Sequence, residues 1–451
     1  MAENAWLRRT ISAAIRLQYN MTMTARDAAL QALIACRKNG AWSDGALKEL
    51  LKGMERRDAA LASRLCYGVL QNRMLLDFWI GSFAKGKLQP VVQDILRLAV
   101  YQLRFMDKIP ASAAVNEAVV QTKKMANVPA SKLVNAVLRS ILRAQELPMP
   151  EDLSVRYSHP KELTELFVQQ FGAEKTEKLL QSHNEAPKTV LQVNPLRADL
   201  QQVIAALDSC GVETQVHPWL ADCLYVSATG NLEQLEAFRN GWFYVQDCAA
   251  KLAVLSAGLQ PGMRVLDCCS APGGKSFAAA IAMQNRGEII SCDIHPHKIK
   301  LIENGAERLG ISILSAHLQD ASKPVEAWYG SMDAVLADVP CSGLGVIRKK
   351  PDIRYKELSQ TQRLPALQSA ILAQQANYVK PGGILLYSTC TILRRENEEV
   401  AEQFLREHSD FEMQTVHFPE RSGLRDAAMT TLLPCDHGTD GFFICKFRRK
   451  S

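Results

Sequence analysis

Residues 264–276 read Arg-Val-Leu-Asp-Cys-Cys-Ser-Ala-Pro-Gly-Gly-Lys-Ser, and they give the first indication of the fold class. An apolar run at 264–268 is typical of a buried strand, and the glycines at 273–274 allow a tight turn before a helix begins. Similar apolar runs then alternate with helical segments, which predicts a parallel or mostly parallel sheet with helices on both faces. The predicted strands are 264–268, 288–293, 313–317, 334–337 and 383–388, and the predicted helices are 275–285, 296–309, 362–379 and 395–407.

The turn at 269–275 differs from two well-known phosphate-binding turns. A P-loop requires a glycine five residues before the Gly274-Lys275 pair, and this chain has Cys269 there. The sequence also lacks the G-x-G-x-x-G fingerprint of dinucleotide-binding folds. Both nucleotide-binding interpretations are therefore disfavoured.

Carboxylates and thiols cluster at the predicted strand ends, where open parallel sheets bind ligands. A single acid in such a place is more typical of a turn or a helix cap, so the joint placement is what indicates a site. An acid after the second strand can bind a ribose diol, and two thiols at two strand ends favour chemistry by a thiolate nucleophile. In chain order these residues are Asp267, Asp293, Asp320, Asp338 with Cys341, and Cys390.

The first part of the chain has a different pattern. Residues 25–143 show helical periodicity, for example the stripe formed by Leu133, Val134, Val137 and Leu138. Prolines at 148 and 150 mark a linker, and a mixed region follows with a helix at 161–182, a helix at 200–209 and four short strands at 189–193, 214–217, 224–226 and 242–245. The predicted divisions are an extension at 1–20, a helical domain at 21–146, a linker with a small α/β subdomain at 147–245, and an α/β domain at 246–451.

Charge is distributed unevenly along the 451 residues, whose formal net charge is +6. Residues 1–150 hold 22 basic and 11 acidic side chains, and the remainder holds 31 and 36. This asymmetry indicates a module that binds a polyanion, although a merely solvated basic surface would look the same. The twelve cysteines include no C-x-x-C pair and are typical of free thiols in a cytoplasmic protein. No apolar run is long enough for a membrane span, so we expect a cytoplasmic protein. Because the cysteines form no C-x-x-C pair, we also expect no metal site.

The motifs together resemble the S-adenosylmethionine-dependent RNA cytosine-C5 methyltransferases. The resemblance rests on residues 266–275, 338–345, 348–354 and 388–390. The helical block is similar to the NusB-like domain of the bacterial RsmB (Sun/Fmu) branch at 65–70, 100–103, 109–110 and 133–139. The resemblance implies an all-α NusB-like N-terminal domain, a small α/β middle region and a C-terminal α/β Rossmann-like methyltransferase domain, with residues 1–20 outside it.

The resemblance also implies a role for each strand-end residue. Cys390 would be the nucleophile that attacks cytosine C6, Cys341 would assist product release, and Asp338 would bind the N3/N4 edge of cytosine. Asp293 would bind the ribose of S-adenosylmethionine and Asp320 its adenine. The methionine portion would lie against Cys269, Ser270, Ala271, Pro272, Gly273, Gly274 and Lys275, with Asp338 also in the cofactor-binding set.

The chain departs from the family pattern in three places. The family more usually has Ala in place of Ser270, Ala in place of Val339, and Gly in place of Gln319. None of these changes removes a reactive group, but the Gln319 change makes the adenine contact of Asp320 the least specific of the assignments.

The implied substrate is 16S ribosomal RNA before or during small-subunit assembly, with no membrane and no obligate protein partner. Arg348, Lys349, Lys350 and Arg354 would grip the RNA backbone or form a solvated loop. The alternatives are the same chemistry on tRNA or another RNA, or a non-catalytic, antitermination-like RNA-binding protein. A DNA cytosine methyltransferase is a further alternative, but its nucleophile would be the Pro-Cys cysteine, which leaves Cys390 unexplained.

Overall fold

The computed structural model describes residues 23–39, 42–228 and 230–451. The predicted extension at 1–20, with Arg8, Arg9 and Arg16, lies outside the described residues. The chain divides into two compact units, one that runs to Glu165 and includes Lys350–Asp352, and one formed by Leu166–Lys349 and Ile353–Ser451. The finer domain boundaries given above stay predictions.

The first unit is helical, as the periodicity predicts. The stripe on its sixth helix is buried at Val134, Val137 and Leu138, but Leu133 is 39% exposed. Including Leu133 in the stripe was wrong, because adjacent residues lie about 100° apart around a helix and Val134 already faces the core. The helices are α1 (Ala25–Asn39), α2 (Ser43–Leu50), α3 (Arg56–Phe83), α4 (Pro90–Phe105), α5 (Ala111–Met125), α6 (Val128–Arg143) and α7 (Leu153–Arg156).

The basic side chains of this unit fall into two groups. Arg97 is held by Asp77 at 2.7 Å and by Asp94 at 2.9 Å, so its charge is compensated inside the unit. Lys123, Lys132 and Arg139, by contrast, are exposed on α5 and α6. Exposed basic residues of this kind supply the positive potential that a polyanion would meet.

A pair of helices replaces the single helix expected at 161–182. They are α8 (Lys161–Phe171) and α9 (Ala173–Ser182), and Gly172 between them has a φ of 78°. A left-handed φ interrupts the helical backbone, and glycine adopts it without steric cost. The prediction of helix in this region is therefore confirmed, but the prediction of a single unbroken helix was wrong.

The strands of the small α/β subdomain are β1 (Thr189–Val193), β2 (Glu213–Val216), β3 (Cys223–Ser227) and β4 (Phe243–Val245), and the short helix α11 (Glu236–Arg239) precedes β4. They form an antiparallel sheet in the order β2-β3-β1-β4. Asp199 caps helix α10 (Leu200–Ser209) through a reciprocal capping box with Gln202, which explains why this helix begins where the sequence predicted.

The larger sheet, as described, has eight strands. They are β5 (Arg264–Asp267), β6 (Glu288–Asp293), β7 (Leu314–Leu318), β8 (Met332–Asp338), β9 (Val379–Thr389), β10 (Phe411–Gln414), β11 (Met429–Leu432) and β12 (Phe442–Arg449). The path order is β10-β12-β9-β8-β5-β6-β7, with β11 paired to β12. The five predicted strands are present and run parallel to one another. Three further strands that the sequence did not predict extend the β9 edge in antiparallel fashion, so the sheet is mixed.

Buried apolar clusters cover both faces of this sheet. The central strands are almost continuously apolar and buried, as expected for parallel strands covered on both sides. The helices of this part are α12 (Cys248–Ser256), α13 (Gly274–Ala282), α14 (Pro296–Leu309), α15 (Leu364–Ala376), α16 (Glu398–Glu407) and α17 (Pro434–His437). Within the described ranges, no helix is both long and apolar enough to cross a membrane.

Candidate active site

The two predicted thiols meet at the carboxyl ends of neighbouring strands. β8 and β9 are parallel and hydrogen-bonded, with Asp338 opposite Ser388 in the register. The loops that follow therefore leave the sheet side by side and place the sulfurs of Cys341 and Cys390 3.1 Å apart. At this distance one thiol donates a hydrogen bond to the other sulfur, so the pair can share a single proton.

A glycine allows the two loops to approach so closely. Gly345 donates its backbone N–H to the carbonyl oxygen of Cys390 at 3.0 Å and accepts a hydrogen bond from the N–H of Gly441 at 2.8 Å. A Cβ atom at position 345 would lie 1.9 Å from the carbonyl oxygen of Gly441. Any other residue would force the Cys341 loop away from Cys390.

Asp338 is held between the turn at 269–275 and β9. Its Oδ2 accepts a hydrogen bond from Lys275 Nζ at 2.7 Å, and its Oδ1 accepts one from Ser388 Oγ at 2.9 Å. Burial would lower the pKa of Lys275, but the charge and hydrogen bond of Asp338, together with the charges of Asp267 and Cys390, outweigh burial and raise that pKa. Lys275 therefore stays charged and anchors the carboxylate in one orientation beside the thiols.

The surroundings of the two thiols differ although the residues are the same. The hydrogen bond from Cys341 lowers the pKa of Cys390 in spite of burial, and Lys275 adds to this effect. The same hydrogen bond, together with burial and the charges of Glu396 and Asp338, raises the pKa of Cys341. The proton of the pair is therefore favoured on Cys341, which leaves Cys390 as the better nucleophile.

The turn at 269–275 brings its backbone close to the ends of β5 and β6. The N–H of Ser270 donates to the carbonyl oxygen of Cys292 at 2.8 Å, and the N–H of Gly273 donates to Ser270 O at 2.7 Å. Gly273 has a φ of 110°, and a Cβ atom on Gly274 would lie 2.8 Å from Gln246 Nε2. Among the described residues, no partner reaches the buried hydroxyl of Ser270. A narrow turn with an unpaired hydroxyl fits a ligand that lies against the backbone.

The three remaining strand-end acids each accept at least one hydrogen bond close to their own strand, although Oδ1 of Asp267 is buried without a partner among the described residues. Asp293 is 6% exposed and accepts from the N–H of His295 at 3.0 Å, and Asp320 accepts from Ser322 N at 2.9 Å and Oγ at 2.7 Å. Asp267 is fully buried and accepts from Ser276 Oγ at 2.7 Å. Asp267 thus anchors the start of α13, whereas Asp293 and Asp320 stay at the edge where a ligand would lie.

The basic segment at 348–354 is built into the fold rather than presented to solvent. Arg348 donates to the carbonyl oxygens of Gly438 and Thr439, both at 3.1 Å, and Lys349 bridges the carboxylates of Asp247 and Asp440. Arg354 is fully buried. The expectation that these three side chains grip RNA or form a solvated loop was wrong, because tertiary partners occupy them; Lys350 is exposed.

Sequence reasoning did not identify the polar residues that support the cysteine loops. Gln368, Glu396 and Asn397 are 0% exposed and lie directly behind these loops. The signal available was a polar run, Glu396-Asn397-Glu398, six residues after Cys390. Such a run at a predicted helix start is normally a solvated cap. In the described part of the chain, no group of three or more His, Cys, Asp or Glu residues is arranged to hold a metal ion.

Comparisons with known proteins agree with this architecture. The family described as 16S rRNA methyltransferase RsmB/F matches residues 254–448, the NusB family matches 23–143, and the ferredoxin-like domain of the RsmF/B-like methyltransferases matches 159–233. These matches confirm the predicted order of a NusB-like helical domain, a small α/β region and a Rossmann-like methyltransferase domain.

Full-length relatives match over almost the whole chain. A protein of Bacillus subtilis (strain 168), named probable ribosomal RNA small subunit methyltransferase B, is 39% identical over 443 residues, which cover 94% of this chain and 98% of the relative. The ribosomal RNA small subunit methyltransferase B of Vibrio cholerae is 32% identical over 93% of this chain and 96% of its own. The crystal structure of PH0851 superposes with a TM-score of 0.78 at 27% identity, over 95% of this chain and 99% of the other.

Proposed function

Since the chain belongs to the RsmB family of ribosomal RNA methyltransferases, we propose that it methylates C5 of a cytosine in 16S ribosomal RNA, with S-adenosylmethionine as methyl donor. The observation that carries the proposal is the pair of thiols 3.1 Å apart beside the Asp338–Lys275 ion pair. A methyltransferase that acts on an oxygen or an exocyclic nitrogen needs no such thiol, whereas C5 of cytosine requires covalent activation.

The proposed reaction begins at C6, because C5 of cytosine is a weak nucleophile. The Cys390 thiolate bonds to C6, and C5 becomes enamine-like and takes the methyl group from the sulfonium, which leaves as S-adenosylhomocysteine. A base then removes the C5 proton, and elimination breaks the bond between C6 and the Cys390 sulfur. Cys341 assists this release, a role that rests on the family resemblance.

Asp338 is proposed to bind the N3/N4 edge of the cytosine. Protonation of the ring at N3 would stabilise the adduct, and a carboxyl group at hydrogen-bond distance supplies that interaction. Because Lys275 and Ser388 hold both oxygens of Asp338 in place, the group would meet the base without first having to be ordered.

The methyl donor is proposed to lie along the ends of β5 to β7. The backbone of 269–275 would contact its methionine portion, Asp293 its ribose hydroxyls and Asp320 its adenine. The close turn at Gly273 and the unpaired hydroxyl of Ser270 fit this arrangement. When bound, the sulfonium supplies the methyl group, and the chain's role is to hold it in line with C5.

The basic helical unit is proposed to bind the RNA backbone, since it carries exposed residues such as Lys123, Lys132 and Arg139. The target base must leave its stack to reach Cys390, at a cost of a few kcal/mol, which a site in a loop or an assembly intermediate reduces. A 16S substrate before or during small-subunit assembly, in the cytoplasm, satisfies that requirement.

The test is methylation of deproteinised 16S ribosomal RNA and of total tRNA by the purified protein, followed by bisulfite sequencing. We expect a single protected cytosine in the 16S molecule and none in tRNA. Bisulfite protection found only in tRNA would show that tRNA, and not 16S ribosomal RNA, is the substrate. Methyl incorporation without bisulfite protection would exclude C5 as the acceptor.

A further inference from the structure

Two adjacent side chains, Glu396 and Asn397, lie behind the two cysteine loops. They precede α16, and both are 0% exposed. Neither has a place in the mechanism proposed above. A buried carboxylate is costly unless its oxygens are hydrogen-bonded, so the partners of these two residues indicate what they do.

Glu396 holds the loop that carries Cys341. Its Oε2 accepts the backbone N–H of Ser342 at 2.9 Å and Gln368 Nε2 at 2.9 Å. Gln368 Nε2 also donates to the carbonyl oxygen of Pro340 at 3.0 Å. The backbone is therefore fixed immediately before and immediately after Cys341.

Asn397 holds the loop that carries Cys390 in the same manner. Its Oδ1 accepts the hydroxyl of Thr389 at 2.6 Å, and its Nδ2 donates to the carbonyl oxygen of Thr391 at 3.1 Å. The residues on both sides of Cys390 are thus bonded to one side chain. A direct hydrogen bond of 2.6 Å between the hydroxyls of Ser342 and Thr391 joins the two loops.

We propose that Glu396 and Asn397 form a clamp that holds the two cysteine loops at the sulfur separation needed for proton sharing. Both are positioning residues, because each acts on a cysteine through the backbone that flanks it. The clamp fixes the distance between the loops that follow β8 and β9, which neither loop fixes by itself. The importance of this distance for catalysis rests on the proposed function, whereas its effect on the thiols does not.

The two halves of the clamp differ in charge. Among the described residues, no donor reaches Glu396 Oε1, so its negative charge is compensated only on the side of Ser342 and Gln368. The charged and titratable groups that act on the thiol pair include Asp338, Lys275, Glu396, Asp440 and Tyr387. Of these, Glu396 acts on Cys341 and Lys275 on Cys390, which favours the proton on Cys341.

The test compares Glu396→Ala, Asn397→Ala and Glu396→Gln with Glu399→Gln, a change at an exposed position of α16. Misplacement of a reacting group by about 1 Å costs roughly 100-fold in rate. We therefore expect both alanine variants to lose about that factor in kcat, with the Kd for S-adenosylhomocysteine unchanged. Glu396→Gln keeps an acceptor oxygen for Ser342 and Gln368 and should recover most of the rate, and Glu399→Gln should match the parent protein.

A second readout needs no RNA. The rate at which iodoacetamide alkylates Cys390, followed by peptide mapping as a function of pH, reports the ionisation of that thiol. In the alanine variants we expect its apparent pKa to rise, because Cys341 no longer donates to it. An unchanged alkylation profile would overturn the clamp, and so would a Glu396→Gln variant as impaired as Glu396→Ala. Failure of the parent protein to methylate cytosine would refute the proposed function and leave the alkylation test valid.

Discussion

The carboxyl edge of the large sheet has two halves that are built differently. In the half formed by β5, β6 and β7, each acid accepts a hydrogen bond from a hydroxyl or N–H close to it in sequence: Asp267 from Ser276, Asp293 from His295 and Asp320 from Ser322. In the half formed by β8 and β9, the partners come from other strands and loops, as in the pairs Asp338–Lys275, Cys341–Cys390 and Ser342–Glu396.

This difference suggests a division of labour. A carboxylate that is oriented by a hydrogen bond from a nearby residue keeps its geometry when the ligand is absent, which suits binding of the methyl donor. A group whose partners are distant in sequence is placed only by the folded sheet, which suits a step that needs two thiols and a carboxylate in fixed relation. If the comparison is correct, substitutions in the β8–β9 half should lower kcat, and substitutions in the β5–β7 half should change donor binding or stability.

The largest effect is expected for Cys390→Ala. Removal of the proposed nucleophile should lower kcat by about four orders of magnitude or more, because the thiol that forms the C6 bond in the proposed reaction is gone. Transfer of tritiated methyl groups to 16S ribosomal RNA measures this loss.

Cys341→Ala is the matched control, since it removes a thiol from the same pair. It should give a covalent RNA–protein adduct that survives denaturing electrophoresis, because the first half of the reaction proceeds and release fails. Adduct formation by Cys390→Ala instead would reverse the assignment of the two thiols.

The next largest effect is expected for Asp338→Asn. The amide keeps the size of the side chain but removes the negative charge that pairs with Lys275 and would bind the cytosine edge. Loss of such a group costs about 100- to 10,000-fold in rate. Steady-state kinetics should show a lower kcat with a nearly unchanged KM for S-adenosylmethionine. If only the KM for S-adenosylmethionine changed, Asp338 would belong with the residues of the β5–β7 half that bind the methyl donor.

A smaller effect, on binding rather than on rate, is expected for Asp293→Ala. Loss of hydrogen bonds from the ribose to a charged group costs about 1.5–3 kcal/mol, which corresponds to a KM for S-adenosylmethionine about 10- to 150-fold higher. Asp320→Ala provides the comparison and should raise KM less, since Asp320 is less buried. Equal losses of kcat in both variants would contradict the division between the halves.

The smallest change in activity is expected for Asp267→Asn, which should instead alter the pH dependence of stability. Burial raises the pKa of Asp267 to about 7 from an ordinary value of 3.8. Between these values the folded protein keeps a proton that the unfolded chain has lost, so stability falls as pH rises from about 4 to about 7.

The asparagine variant has no proton to lose at this position. Its melting temperature relative to the parent protein should therefore be higher at pH 8 than at pH 5. Calorimetry at the two pH values measures the difference, and a constant offset would show that Asp267 is ionised throughout.

The sequence predicted the parallel strands of the large sheet and the helices between them, but not the three strands at the β9 edge of that sheet. The five parallel strands and the helices between them follow from apolar runs that alternate with helical periods, which are local patterns. β10 to β12 were not predicted, because β10 and β11 are only four residues long and become strands by pairing with β12. The tertiary hydrogen bonds of Arg348 and Lys349 were missed for a related reason: their partners lie about 90 residues or more away in sequence.

Which residues end each strand follows from the amino-acid order, because a strand and the turn after it are neighbours in the chain. The shared sheet edge of Asp338, Cys341 and Cys390 follows in the same way. The 3.1 Å between the two sulfurs, the pairing of Lys275 with Asp338, and the hold of Glu396 and Asn397 on the cysteine loops come from tertiary packing. Strand order and register set these distances, and they arise from packing between segments that are far apart in sequence.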